Sequence, residues 1–209
     1  MGSTFESSWE RAARETRQAY QEALKVQPDS PVILFKLGEA YERTKQPAKA
    51  VEQYLKGLNQ YPEGNESIVR SYRHIGFAVD TPEGLVVPVV RDADKKGLLD
   101  IARESDELVR LARAGKLGPD RMQGGCFTVS NLGSAGGSGF TPIINAPEVA
   151  ILGVARSEIR PVWDGVQFQP RLVLPLCLSW DHRALDGVAA ARFLGFLAGM
   201  LSDFRRAVL

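Results

Sequence analysis

The chain is predicted to fold as an α+β protein in which a helical segment leads into a mixed sheet. Three observations predict it. Residues 5–58 are poor in glycine and place apolar side chains every three to four positions, the period of a helix. From about Ser67 the texture changes to β-branched runs broken by Gly, Pro and Asp, the mark of short strands. The chain closes on a second helical stretch, from Gly187 to about Arg206.

The helical segment carries a spacing of its own. Tyr20 and Tyr54, Ala23 and Gly57, and Pro28 and Pro62 each stand 34 residues apart. On that spacing residues 31–64 resemble one tetratricopeptide repeat. Leu34 occupies the position of the family's usual Trp, and Leu37, Gly38, Tyr41, Ala50, Tyr54, Gly57 and Pro62 follow in register. Small residues at Gly38 and Ala50 allow two helices to approach closely, with Tyr41 and Tyr54 filling the groove between them. Residues 5–28 look like the second helix of a preceding repeat. The expected organisation is therefore a tetratricopeptide-like helical hairpin over residues 1–65 and a second domain over 66–209. Fewer than two repeats rarely stand alone, so these helices are expected to pack on the rest of the chain or on a neighbour.

In the second part, Ile75 to Asp80 and Leu85 to Val90 are strand candidates. Leu98 to Ala114 reads as an amphipathic helix with Leu98, Leu99, Ile101, Ala102, Leu108 and Leu111 on its apolar face. Further strands are expected at Cys126 to Asn131, Val149 to Val154 and Leu172 to Trp180. Asp164-Gly165 marks a hairpin turn. Leu132 to Gly139 is glycine-rich but lacks the Gly-Lys-Ser/Thr ending of a phosphate loop, and reads as a connection.

Composition narrows the function. Lys and Arg number 26 against 25 Asp and Glu, so no basic field for nucleic acid or anionic lipid is present. No apolar run reaches the length of a membrane span and no leader pattern opens the chain, so neither a nucleic acid nor a membrane partner is expected and the cytoplasm is the expected location. Cys126 and Cys177 lie far apart in apolar, strand-like contexts. They read as reduced core residues, not as a disulfide or part of a metal site, and no metal is expected.

Only two histidines occur. His74 opens a strand and reads as a residue satisfied by a local hydrogen bond. His182 lies in Ser179-Trp-Asp-His-Arg-Ala-Leu-Asp-Gly187, between a strand and a helix. That string resembles the His-x-x-x-Asp-Gly signature shared by the acyltransferases of 2-oxo acid dehydrogenase complexes and chloramphenicol acetyltransferase, and Asp181 and Arg183 favour the former. His74-Ile-Gly-Phe-Ala-Val-Asp-Thr-Pro-Glu-Gly-Leu-Val-Val-Pro-Val-Val90, Phe127-Thr-Val-Ser-Asn-Leu-Gly133 and Phe140-Thr-Pro-Ile-Ile-Asn-Ala-Pro-Glu-Val-Ala-Ile-Leu-Gly-Val154 resemble the same family in the same order. The resemblance runs from about Ser67 to Leu209 and is strongest to the acetyltransferases of bacterial pyruvate dehydrogenase complexes. It implies a chloramphenicol-acetyltransferase-like fold, truncated at the N-terminal side of the catalytic domain. The family's lipoyl and partner-binding domains are not in the sequence.

The implied reaction moves an acyl group between a dihydrolipoamide thiol and coenzyme A, both as substrates, the lipoyl group being carried by another domain or chain. A thiol with a pKa of about 8.5 is mostly protonated at neutral pH, so attack needs a base near pKa 7. Attack on the thioester creates an oxyanion, and one fixed hydrogen-bond donor there is worth about 3 kcal/mol of barrier. The resemblance assigns His182 as that base, Ser130 as the oxyanion donor, and Asp186 as the residue that holds the site's loop. It also implies a homotrimer with His182 and Ser130 contributed by neighbouring chains, and a C-terminal segment, Ala207-Val208-Leu209, that joins trimers into cubic or larger cores. The alternative is a catalytically impaired oligomeric scaffold that displays the repeat-like helices to a protein or peptide partner.

Overall fold

A computed structural model of the chain describes residues 8–28, 30–58, 60–63, 66–133, 137–203 and 205. In chain order the helices are α1 (Ser8–Val26), α2 (Pro31–Arg43), α3 (Pro47–Leu58), α4 (Leu98–Arg113) and α5 (Gly187–Ser202). The strands are β1 (Gln60–Glu63), β2 (Glu66–Val69), β3 (Ile75–Phe77), β4 (Val79–Thr81), β5 (Gly84–Val86), β6 (Val89–Val90), β7 (Phe127–Asn131), β8 (Ala150–Val154), β9 (Glu158–Trp163), β10 (Phe168–Val173) and β11 (Leu176–Trp180). The elements form an α+β fold and divide into two compact units, residues 1–71 with 182–209, and residues 72–181.

The first unit is built on α1, α2, α3 and α5, with β1 and β2 as an antiparallel pair. α2 starts on Pro31, whose fixed φ suits the first helical position and whose missing N–H is not needed there. α2 and α3 approach closely because Gly38 faces Tyr54: a Cβ at position 38 would lie 2.7 Å from the Tyr54 ring. Ala50 and Tyr54 are fully buried. The Tyr54 ring also meets Phe35 of α2 and Phe193 and Phe196 of α5, at centroid distances of 5.4, 6.4 and 5.4 Å. Its hydroxyl donates to Glu42 Oε2 at 3.2 Å; burial, reinforced by the Glu42 charge, pushes the phenol pKa up, so it stays a donor. Arg192 of α5 pairs with Glu39 of α2. On the other side of α2, Tyr41 accepts a hydrogen bond from Gln21 Nε2 at 2.8 Å and lies 5.6 Å beneath the Arg17 guanidinium of α1. The groove aromatics are thus covered by the chain's own helices.

The second unit is a five-stranded mixed sheet in the order β11-β8-β7-β3-β6. β8, β7 and β3 run parallel, and β11 and β6 pair antiparallel at the edges. β8 is buried on both faces, which is why Val149 to Val154 reads as a continuous apolar run. α4 packs on β4 and β6 with Leu108 and Ala112 buried.

Several expected strands are interrupted. Ile75 to Asp80 divides at Ala78, whose N–H bonds Val129 O at 2.9 Å, so β3 joins the main sheet while β4 turns away to pair with β5. Leu85 to Val90 divides at Val87-Pro88 and Leu172 to Trp180 at Leu174-Pro175, because proline has no N–H for a ladder. Leu172 and Val173 instead belong to β10, which pairs with β9 across the Asp164-Gly165 turn. There Gly165 takes φ +104°, and Asp164 Oδ1 accepts from the N–H groups of Val166 and Gln167 at 2.9 Å each. Leu98 and Leu99 are 66% and 69% exposed, so they leave the apolar face of α4. α5 runs to Ser202, and the expected end at Arg206 lies outside the described residues. Residues 134–136 of the glycine-rich connection and Ala207-Val208-Leu209 lie outside the described residues.

Candidate active site

His182 and Asp186 share one turn in the first unit. Along His182-Arg-Ala-Leu-Asp186 the apolar pair Ala184 and Leu185 is buried, at 7% and 3% exposure, while His182, Arg183 and Asp186 are exposed. The buried pair anchors a turn whose polar members face outward. Asp186 is the N-cap of α5, with extended backbone (φ −88°, ψ 162°) and its Oδ1 accepting from Ala189 N at 2.8 Å. A carboxylate there satisfies an otherwise unpaired N–H and sits at the positive end of the helix dipole. Asp186 therefore fixes the junction between the histidine turn and the helix.

Ser130 belongs to the second unit. It lies on β7 opposite Gly153 of β8 and is half-buried. Side chains two apart on a strand share a face, so Ser130 and Thr128 project to the same side of the sheet. That side is covered by the segment 140–148. A Cβ on Gly153 would stand 2.8 Å from Phe140 Cζ and 3.2 Å from Pro142 Cγ, so this strand position must be glycine for the segment to lie down beside Ser130. β7 ends where Asn131 Oδ1 turns back to accept from Gly133 N at 2.8 Å.

Under the same segment sits a carboxyl that sequence reading did not single out. Glu148 is 6% exposed. Its Oε1 accepts from Thr128 Oγ1 at 2.9 Å and from Asn145 Nδ2 at 3.2 Å, while its Oε2 is buried with no hydrogen-bond partner. Burial pushes its pKa up, and the two donors offset part of that. The string Asn-Ala-Pro-Glu has the look of an exposed turn, and only its place between two buried strands marks the carboxyl as internal.

The remaining candidates are structural. Cys126 is buried and its thiol donates to His74 O at 3.0 Å; Cys177 is half-buried, and no disulfide joins the two. The His74 ring stacks on Tyr72 at 4.1 Å, and its Nδ1 accepts from Asp92 N at 2.9 Å. Burial lowers the His74 pKa, with Asp92 opposing. Among the described residues no group of three or more His, Cys, Asp and Glu is placed to hold a metal ion. Among them, too, no helix is long and apolar enough to cross a membrane.

Comparison with known proteins places this geometry in context. The family model for 2-oxoacid dehydrogenases acyltransferase (catalytic domain) matches residues 43–209. The dihydrolipoyllysine-residue acetyltransferase component of the pyruvate dehydrogenase complex of Cupriavidus necator is 62% identical over 152 residues, covering 73% of this chain and 28% of that protein. The chain spans less than a third of the length of the curated relatives it matches most strongly. A crystal structure of the Azotobacter vinelandii dihydrolipoamide acetyltransferase superposes with a TM-score of 0.73 at 48% identity, covering 96% of this chain and 79% of that one. That structure was studied for the role of a serine, a histidine and an asparagine in catalysis, the serine 52 residues before the histidine and the asparagine four after it. A structure of the cubic core of the pyruvate dehydrogenase multienzyme complex has the same TM-score at 47% identity, with the same coverage. The tetratricopeptide-like pattern gains no support from these matches: the family model already takes in α3, and 96% coverage takes in much of the helical segment.

Proposed function

The chain belongs to the 2-oxoacid dehydrogenase acyltransferase family, in its catalytic domain, and from that premise we propose that it transfers an acetyl group between dihydrolipoamide and coenzyme A with His182, Ser130 and Asp186 as its working residues. One observation carries the residue assignment. Ser130 precedes His182 by 52 residues and Asp186 follows it by four, the spacings of the serine, histidine and asparagine studied in the Azotobacter vinelandii enzyme. Asp186 stands where that enzyme has asparagine. Asparagine and aspartate cap helices about equally well, and capping is the contact Asp186 makes.

The chemistry follows from the side chains. The neutral His182 imidazole takes the proton of the attacking thiol as its sulfur bonds the thioester carbonyl carbon. The Ser130 hydroxyl donates to the oxygen that becomes negative. Collapse of the tetrahedral adduct breaks the original carbon–sulfur bond, and the departing thiolate takes the proton back from His182. No acyl-enzyme forms, so neither cysteine is needed. Two cysteines that form no disulfide suit a reducing compartment, and we place the protein in the cytoplasm.

The working form is a homo-oligomer, a trimer that completes the site from two chains and that assembles further into a cubic core. The β9–β10 hairpin supports an assembling chain. Its register puts Ile159, Trp163, Phe168 and Leu172 on one face, at 74%, 55%, 68% and 73% exposure, an apolar surface of the kind that marks association.

The test is acetyl transfer from acetyl-coenzyme A to free dihydrolipoamide by the purified oligomer. His182→Ala is expected to lower kcat by about 10²–10⁴-fold, the usual worth of general base catalysis, and Ser130→Ala by about 10²–10³-fold. Wild-type turnover no faster than that of His182→Ala would remove the proposal.

A further inference from the structure

Ser130 needs a fixed direction if its hydroxyl is to meet a developing charge, and nothing in a two-residue stretch of strand fixes it. The structure supplies a fixing device one step away. Thr128, fully buried, lies two residues before Ser130 on the same face of β7. Its hydroxyl donates to Glu148 Oε1, which also accepts from Asn145 Nδ2. The segment is held at its backbone as well, Glu148 N donating to Asn145 O at 3.0 Å. Two glycines leave room for this arrangement: a Cβ at Gly76 would lie 2.7 Å from Thr128 Oγ1, and one at Gly125 would lie 2.8 Å from Glu148 Oε1. The polar cluster is therefore built in, since the neighbouring strand and the approach to β7 are kept bare around it.

We propose that Glu148 is a positioning residue for the acyl-transfer site: its carboxyl clamps the segment covering the sheet onto Thr128 and thereby sets the course of β7 at Ser130. The inference rests on Ser130 being the oxyanion donor. It concerns which atom holds that donor in place, a role no feature of the motif itself assigns.

Its surroundings favour the uncharged acid over the carboxylate. Both donors fall on Oε1, and Oε2 is buried without a partner. An ionised carboxylate with one oxygen unsolvated is costly, whereas a neutral carboxylic acid costs much less. Burial raises the pKa of this carboxyl in the same sense. Glutamine has the shape of the neutral acid, and its amide oxygen accepts both hydrogen bonds. Leucine has similar bulk and accepts neither.

Kinetics of the assembled oligomer separate the outcomes. Glu148→Gln is expected to keep kcat within about threefold, and Glu148→Leu to lower it about tenfold to a hundredfold, the scale of a misplacement near 1 Å, with KM for both substrates little changed. Thr128→Val cuts the same link from the other side without removing a buried acid, and is expected to reproduce the Glu148→Leu loss even if that variant folds poorly. The decisive readout is a cycle with Ser130→Ala. If Glu148 acts through Ser130, Glu148→Leu and Thr128→Val cost little more in kcat once the serine is gone. Losses in kcat that multiply with that of Ser130→Ala would overturn the proposal, as would a Glu148→Gln variant as slow as Glu148→Leu. A Ser130→Ala variant with wild-type kcat would overturn the reading of Ser130 instead, so the two failures are distinct.

Discussion

Two glycine-to-alanine changes, one in α2 and one in α5, should move stability in opposite directions. Alanine gains about 1 kcal/mol over glycine in a helix interior. At Gly195 of α5 an added Cβ meets nothing within 4 Å, so the full gain is expected. At Gly38 of α2 the Cβ would lie 2.7 Å and 2.8 Å from two Tyr54 ring carbons, where ordinary contact begins at 3.4 Å. Any retreat of the ring disturbs its packing, because it is fully buried against Phe35, Phe193 and Phe196 with its hydroxyl on Glu42. Overpacking of this kind costs about 1–3 kcal/mol, which outweighs the helical gain and leaves a net loss of about 1 kcal/mol. For a chain of this size a change of 1 kcal/mol moves Tm by about 2–4 °C. Differential scanning calorimetry at fixed protein concentration should show Gly195→Ala above wild type and Gly38→Ala below it by similar amounts. Adding Tyr54→Leu should abolish the penalty at position 38. If Gly38→Ala raised Tm as Gly195→Ala does, the close helix contact would not exist and the packing reasoning for α2, α3 and α5 would fail.

Other expectations follow from the same geometry. Asp186→Ala should cost about 1 kcal/mol through the lost cap of α5 and lower kcat by loosening the His182 turn, while Asp186→Asn stays near wild type in both; a damaging Asn variant would show that the charge matters in itself. His74, its pKa lowered by burial, contributes stability that is present above the unfolded value of about 6.5 and is lost as pH falls through the folded one. Urea titrations should therefore show wild type losing more stability between pH 7.5 and pH 5 than His74→Asn, and equal losses would refute this. Glu148 has the opposite sign: its raised pKa means stability is present at acid pH and declines as pH rises through the folded value, so Glu148→Gln should gain on wild type toward neutral pH and match it near pH 4. Replacing Trp163 and Phe168 together by serine should shrink the assembly in sedimentation velocity; an unchanged particle would acquit the hairpin face of any part in association.

What the sequence displayed, and what it concealed, sorts by the range of the forces involved. Gly38 opposite Tyr54 was legible because a small residue and an aromatic at helical spacing announce a close helix contact. The Asp164-Gly165 turn was legible because glycine alone adopts φ +104° without strain, and aspartate caps the turn's own amides. The strands were located but their breaks were not: Ala78 still donates to Val129 O on β7, and only the residues after it turn away to pair with β5, a choice of partner that no local pattern fixes. The seating of Phe193 and Phe196 against Tyr54 likewise joins distant parts of the chain, and no local pattern announces it. Of the proposed site residues, His182, Ser130 and Asp186 stood out through the motifs around them, and the capping contact of Asp186 is visible in His-x-x-x-Asp-Gly once a helix is known to follow. Glu148 was hidden because a single acidic residue beside proline looks the same in sequence whether it faces water or the interior.

The central claim is that one chain's His182 and another's Ser130 make a single acyl-transfer site. Mixing inactive His182→Ala and Ser130→Ala chains by co-refolding, then assaying acetyl transfer to dihydrolipoamide, tests it directly. Shared sites predict that activity returns to about a quarter of wild type, because random mixing in a head-to-tail ring makes about one interface in four from two intact halves. Mixed assemblies as inactive as either variant alone would contradict it.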